Sequence, residues 1–213
     1  IGGKIKKIAM PNHYDYRQYR LHPNEVKMKF KEKGWEKIVA FQTRNPLHRA
    51  HIEMTMSSME ELDAKLLLHP VVGMTKPGDV DHYTRVRCYK HVIKKYPKDS
   101  AMLALLPLAM RMGGPRETLL HAIIRKNYGC THLIVGRDHA GPGNDSKGNP
   151  FHGPYDAQKL LNEYKKEIGI EIVPFQFMVY TPSDNSYKPL ESLDDNEDYQ
   201  TISGTELRNI LDK

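Results

Sequence analysis

Apolar residues along the chain fall into short unbroken runs, separated by stretches in which they recur every three or four positions. Lys37-Ile-Val-Ala-Phe-Gln42, Ala64-Lys-Leu-Leu-Leu-His-Pro70, Ala101-Met-Leu-Ala-Leu-Leu-Pro107 and Thr131-His-Leu-Ile-Val135 are such runs. A continuous apolar run of this length reads as a strand covered on both faces. Positions 171–175 make a fifth. Between the runs, 46–59, 81–96, 115–127 and 156–167 have the spacing of helices. Strand and helix in alternation predict an α/β fold with a doubly wound, mostly parallel sheet. Ligands of such sheets sit beyond the carboxyl ends of the strands, so the segments after Phe41, Pro70, Pro107 and Val135 are where chemistry belongs.

This pattern divides the chain into a lead-in segment at 1–35 that packs on the core, a core domain at 36–180, and a C-terminal loop with a short helical segment at 181–213. Within the last of these, 182–198 is polar and proline-bearing and reads as a surface loop. The 213 residues, 39% of them hydrophobic, supply one substantial core. No apolar run approaches the roughly 18 residues that cross a bilayer, so no membrane partner is expected. No secretory signal pattern opens the sequence, and two cysteines do not make a disulfide framework. A cytoplasmic setting follows.

A net charge of +6 suits an anionic partner, whether nucleic acid, nucleotide or small oxyanion. The basic run Lys27 to Lys37, with Phe30 and Trp35 interleaved, reads as a solvated amphipathic helix rather than a nucleic-acid face. Cys88 and Cys130 lack the paired spacing of a zinc site and read as buried thiols. No protein-held metal is expected.

The first strand runs directly into Gln42-Thr-Arg-Asn-Pro-Leu-His-Arg-Ala-His51. Asn45 is a good N-cap, and Pro46 suits the first helical position, where a missing N–H costs nothing. A helix N-terminus placed there favours anions. His48 and His51 share one helix face, so two imidazoles can meet one phosphate. Standing alone, such a pair is more often a metal-ligand or structural pair. The order strand, Asn-Pro, His-x-x-His is instead that of HIGH-type nucleotidyltransferases, where those histidines contact ATP phosphates. The planar fork of Arg44 suits a tetrahedral oxyanion. After the fourth strand, Gly136-Arg-Asp-His-Ala-Gly-Pro-Gly143 places Arg137, Asp138 and His139 at a strand end among glycines that let backbone approach a ligand. Arg111 and Arg116, beside Gly-Gly-Pro, read equally as phosphate contacts or solvated charges.

On these residues the chain resembles the ATP sulfurylase family over nearly its whole length. The first element is similar to that family's Q-x-R-N-P-x-H-x-x-H signature, and 136–143 to its second. Leu106-Pro-Leu-Ala-Met-Arg-Met-Gly-Gly-Pro-Arg-Glu117 resembles the loop between them, and Ile202-Ser-Gly-Thr-Glu-Leu-Arg208 the segment that closes the catalytic region. The resemblance implies a Rossmann-like HIGH-type nucleotidyltransferase that transfers AMP from ATP to sulfate, giving adenylyl sulfate and pyrophosphate. It implies that Thr43, Arg44, Asn45, His48 and His51 carry the chemistry. Gln42, Arg44, Asn45, His48, His51, Gly136, Arg137, Asp138, His139 and Met178 would bind ATP, the last through its backbone. Gln42, Arg44 and the backbone at Ala140 would hold sulfate. Mg2+ would accompany ATP, and a homo-oligomer is a candidate assembly.

Sulfate has no proton to lose at neutral pH, so its attack on the α-phosphorus would need positioning and charge neutralisation rather than a general base. Two other readings stand beside this one. One is a HIGH-type nucleotidyltransferase with a different acceptor, and the other a non-catalytic nucleotide-binding module.

Overall fold

The computed structural model of the chain describes residues 12–74, 78–194 and 196–201, together with positions 4, 6 and 9. The 202–208 element and the closing helical segment expected near it lie outside the described residues.

Five strands, β1 (Ile38–Phe41), β2 (Lys65–Leu68), β3 (Ala101–Leu103), β4 (His132–Val135) and β5 (Glu171–Pro174), form one sheet in the order β3-β2-β1-β4-β5. Every pairing in it is parallel. Winding proceeds outward from β1 to β3, then restarts on the other side with β4. The direction of winding therefore reverses between β1 and β4, and a crevice opens above their carboxyl ends. The expected parallel α/β architecture is what the chain adopts.

Strand alternation sorts the core into two layers. Ile38, Ala40, Leu67, Leu133 and Val135 face one cluster, and Val39, Phe41, Leu66, Leu68 and Ile134 face the other. Helices α1 (Pro23–Glu32), α4 (Pro115–Asn127) and α5 (Asp156–Ile168) contribute to the first cluster, while α2 (Arg49–Leu62) and α3 (His82–Val92) contribute to the second. α1 comes from the lead-in segment. It buries Val26 and Phe30, leaves its lysines outside, and ends where Phe30 stacks on Trp35 with ring centroids 5.7 Å apart.

Two elements differ from the sequence reading. Residues 182–198, read as loop, contain strand β7 (Ser186–Pro189), paired antiparallel with β6 (Met178–Thr181). The hairpin is fastened to α2. Arg49 Nη1 donates to Asn185 Oδ1 at 2.8 Å, and the Tyr187 amide donates to Glu53 Oε2 at 3.2 Å.

The second difference is the start of α2, which begins at Arg49 with His48 as its N-cap, not at Pro46 with Asn45. Were Asn45 the cap, its carbonyl would accept the first helical N–H. That carbonyl instead takes the Tyr89 hydroxyl at 2.8 Å and the Thr43 hydroxyl at 3.0 Å. Residues 46–48 consequently stay in the loop.

Candidate functional site

Above the crevice lies a cavity of about 310 Å3 with three walls. The loop after β1 gives Gln42, Thr43, Arg44 and Asn45, with His51 from the first turn of α2. The loop after β4 gives Gly136, Arg137, Asp138, His139, Ala140 and Gly141, and the β3–α4 connection gives Met110 and Met112. Ten of the twelve residues read from the sequence as site residues meet here. His48 and Met178 do not line it: His48 caps α2 at the rim, and Met178 opens β6. Arg111 and Arg116 are exposed and also lie off the lining.

The first wall is held by short-range bonds. Thr43 Oγ1 accepts the Asn45 amide at 3.0 Å, closing a tight turn. Tyr89, which clamps that turn, is pushed up to about 12 by burial and therefore stays a donor at any working pH. Arg44 is ion-paired through Nη1 with Asp79, so the fork expected to grip an oxyanion is already oriented by a carboxylate.

His51 accepts the His48 amide on Nδ1 at 3.4 Å, and the two rings lie 3.9 Å apart. Burial, aided by the neighbouring His48, lowers His51 to about 3. The ring is thus neutral, and with Nδ1 accepting, the proton sits on Nε2. Toward an anion, the ring can act as a hydrogen-bond donor but not as a cation. Desolvation lowers His48 as well.

The second wall is built under backbone strain. Seven described residues other than glycine have positive φ, and three of them, Met112 (55°), Asp138 (53°) and Ala140 (54°), line this cavity. Such conformations persist only where surrounding contacts impose them, and they concentrate at functional sites. The contacts are visible. The Asp138 amide donates to Pro154 O at 2.7 Å, and the Gly114 amide donates to Ala140 O at 2.8 Å. A Cβ at Gly141 would lie 2.0 Å from Asp138 Oδ1, so a side chain there would displace the Asp138 carboxylate from its present position. Arg137 projects outward, its guanidinium carbon 5.1 Å from the centre of the Phe177 ring.

The third wall hangs on Glu117, the last residue of the 106–117 element, to which the sequence alone assigns no role. Its two carboxylate oxygens accept the amides of Arg111 and Gly113, each at 2.8 Å. One turn on, His121 lies 3.5 Å from Glu117 Oε1 and 3.5 Å from Gln42 Nε2 through its Nε2, and 3.1 Å from His139 Nε2 through its Nδ1. A further turn on, buried Arg125 donates to His69 O at 3.1 Å. Burial, with Arg125 beside them, lowers His121 to about 2 and His139 to about 4, so both rings are neutral. The signal for these residues was present as Glu117, His121 and Arg125 at intervals of four, a polar stripe on a helix.

A larger cavity of about 710 Å3 lies by the lead-in segment. Its charges answer one another: Asp15 takes Arg20 at 2.8 and 2.9 Å and His82 at 3.1 Å. Among the described residues no group of three His, Cys, Asp or Glu side chains could hold a metal ion, and no helix is long and apolar enough to cross a membrane.

Fold and site together define an α/β domain with a cavity at the switch point of a parallel sheet, lined by two strand-end loops, neutral imidazoles and an oriented guanidinium. The family model for ATP-sulfurylase matches residues 17–213, and the chain belongs to that family. Sulfate adenylyltransferase from Yarrowia lipolytica is 58% identical over 211 residues, covering 99% of this chain and 37% of that protein. The enzymes of the same name from Kluyveromyces lactis and Saccharomyces cerevisiae are 56% and 55% identical, each over 99% of this chain and 42% of their own length. The chain thus spans about two fifths of these relatives. Among solved structures, a hexameric APS kinase from Thiobacillus denitrificans superposes with a TM-score of 0.76 at 29% identity, over 94% of this chain and 37% of that one.

Proposed function

We propose that this chain carries the catalytic site of a sulfate adenylyltransferase of the HIGH nucleotidyltransferase type. The observation that carries the reading is the convergence of the Gln42–Asn45 turn, His51 and the Gly136–Ala140 loop on one cavity at the sheet's switch point. A sulfate oxygen attacks the α-phosphorus of ATP, the new P–O bond forms as the bond to the β-phosphate bridge breaks, and pyrophosphate leaves. No proton has to move. Arg44 orients sulfate together with Gln42 and the Ala140 backbone, and the Asn45 amide meets the α-phosphate. Neutral His51 donates to the departing phosphates, with His48 at the rim behind it. Gly136 to His139 line the nucleotide side, and the Met178 backbone meets the adenine. Mg2+ enters as part of the ATP substrate. A cytoplasmic setting and assembly from several copies of the chain complete the reading.

Exchange of labelled pyrophosphate into ATP in the presence of adenylyl sulfate tests it. ATP formation is expected, with molybdate competing against sulfate in the forward direction. Nucleotide binding without turnover would leave a non-catalytic module, and turnover with another acceptor in place of sulfate would move the chain to a different branch of the same enzyme class.

A further inference from the structure

α4 buries a more polar stripe than an ordinary surface helix. It buries Glu117, Thr118, His121 and Arg125 while leaving Leu120 and Ile123 at 45% and 44% exposure. Apolar burial selects that orientation only in part: Leu119, Ala122 and Ile124 pack on the core, yet the same turn of the helix puts three ionisable side chains inside and two aliphatic ones outside. Core formation alone does not account for the polar stripe. What the stripe touches is the site: the amides of Arg111 and Gly113 through Glu117, and Gln42 and His139 through His121.

We propose that His121 is a positioning residue that ties the wall after β1 to the wall after β4, fixing their separation from beneath. This rests on the adenylyltransferase reading for what the walls hold, but the tie itself does not. The ring is fully buried, and each of its nitrogens faces a residue from a different wall. A neutral imidazole has one donor and one acceptor, so its tautomer decides which neighbour receives a proton and which gives one. Donation from Gln42 to Nε2 leaves Nδ1 to donate to His139, giving one directional run from the first wall to the second. Glu117, at the same distance from Nε2 as Gln42, competes for that nitrogen and would reverse the run. Arg125, the remaining charged group beside the ring, penalises its protonation and keeps the choice between neutral tautomers. A shift of about 1 Å between groups that hold two reactants is enough to cost roughly a hundredfold in rate.

The test uses the full chain and the variants His121→Phe and His121→Asn. Phe fills the space and breaks both contacts, whereas Asn keeps a polar group where Nδ1 stands. Turnover is expected to fall about tenfold to a hundredfold in H121F at a melting temperature near that of the wild type, with H121N recovering a large part. A structural role alone predicts that Asn, the smaller and more polar replacement, does worse. Nitrogen-15 spectra of the labelled histidines give a readout independent of activity. His121 is expected as a single neutral tautomer from pH 5 to 8, with the His139 signal moving in H121F. Wild-type turnover in H121F, H121N no better than H121F, or a His121 ring that titrates near its ordinary value would each overturn the proposal. An inactive wild type that still shows coupled His121 and His139 signals would remove the adenylyltransferase reading and uphold the tie.

Discussion

Replacing Glu117 by Gln keeps the size and shape of the side chain and changes only what it can accept. The carboxylate takes two backbone amides, Arg111 N–H and Gly113 N–H, each at 2.8 Å. A glutamine has one carbonyl oxygen, so one of those amides must face an NH2 group that also donates. A hydrogen bond to a charged acceptor contributes about 1.5–3 kcal/mol net. Loss of one, with the second weakened by loss of charge, should therefore raise the opening equilibrium of residues 111–113 by about 2–3 kcal/mol, or roughly 30- to 150-fold. Hydrogen exchange of the two amides, read by NMR in wild type and E117Q, measures this directly. Protection should fall at Arg111 and Gly113 and stay unchanged in β1 and β4. Turnover should fall with it, because Met112 between them forms a cavity wall in a conformation that the flanking bonds impose. Unchanged protection at these two amides would refute the reasoning, as would equal loss throughout the sheet, which would make Glu117 a global stabiliser instead.

Stability should also depend on pH in a definite direction. His121, His139 and His51 are lowered to about 2, 4 and 3 chiefly by burial, so between pH 6.5 and 4 the unfolded chain binds protons that the folded chain refuses. The denaturation midpoint should therefore drop from pH 7 to pH 5, and less steeply in H121F; an identical slope in the variant would mean that His121 is not buried neutral. Arg44→Ala should raise the KM for sulfate by about 10- to 150-fold, the equivalent of one charge-assisted contact. Lys should rescue it poorly because it lacks the two-pronged geometry, and near-normal sulfate kinetics in R44A would show that the guanidinium does not grip the acceptor.

The five strands were legible because each is a continuous apolar run, and four helices because their apolar spacing matches the helical period. The site loops were legible from composition at strand ends. Other features resisted reading for separate reasons. The start of α2 was misplaced because Asn-Pro is a good local helix signal, while the Asn45 carbonyl is diverted by the Thr43 hydroxyl and by a tertiary contact from Tyr89, 44 residues away. β7 has four residues of intermediate exposure and no alternation, so its pairing leaves no trace in the hydrophobic pattern. α4 was found at 115–127, yet the polar part of its inward face was hidden, since a rule that places apolar residues inside gives no reason to bury Glu117, His121 and Arg125. Glu117 and His121 were assigned no role because neither belongs to a loop at a strand end. They act on the loops from below.

Arg125 has a consequence for ionic strength. It is fully buried and its Nε and Nη1 find no protein partner among the described residues, yet at about 10 its pKa keeps it charged at neutral pH. A cation on the surface is surrounded by mobile counterions, and its pull on an approaching anion fades over about 8 Å in physiological salt. A cation sealed beneath His121 and His139 has no such atmosphere close to it. Part of any attraction this cavity exerts on an anion should therefore persist in concentrated salt, while steering by the exposed lysines and arginines disappears. Capture from a distance would slow under those conditions, but retention of an anion already seated would change far less.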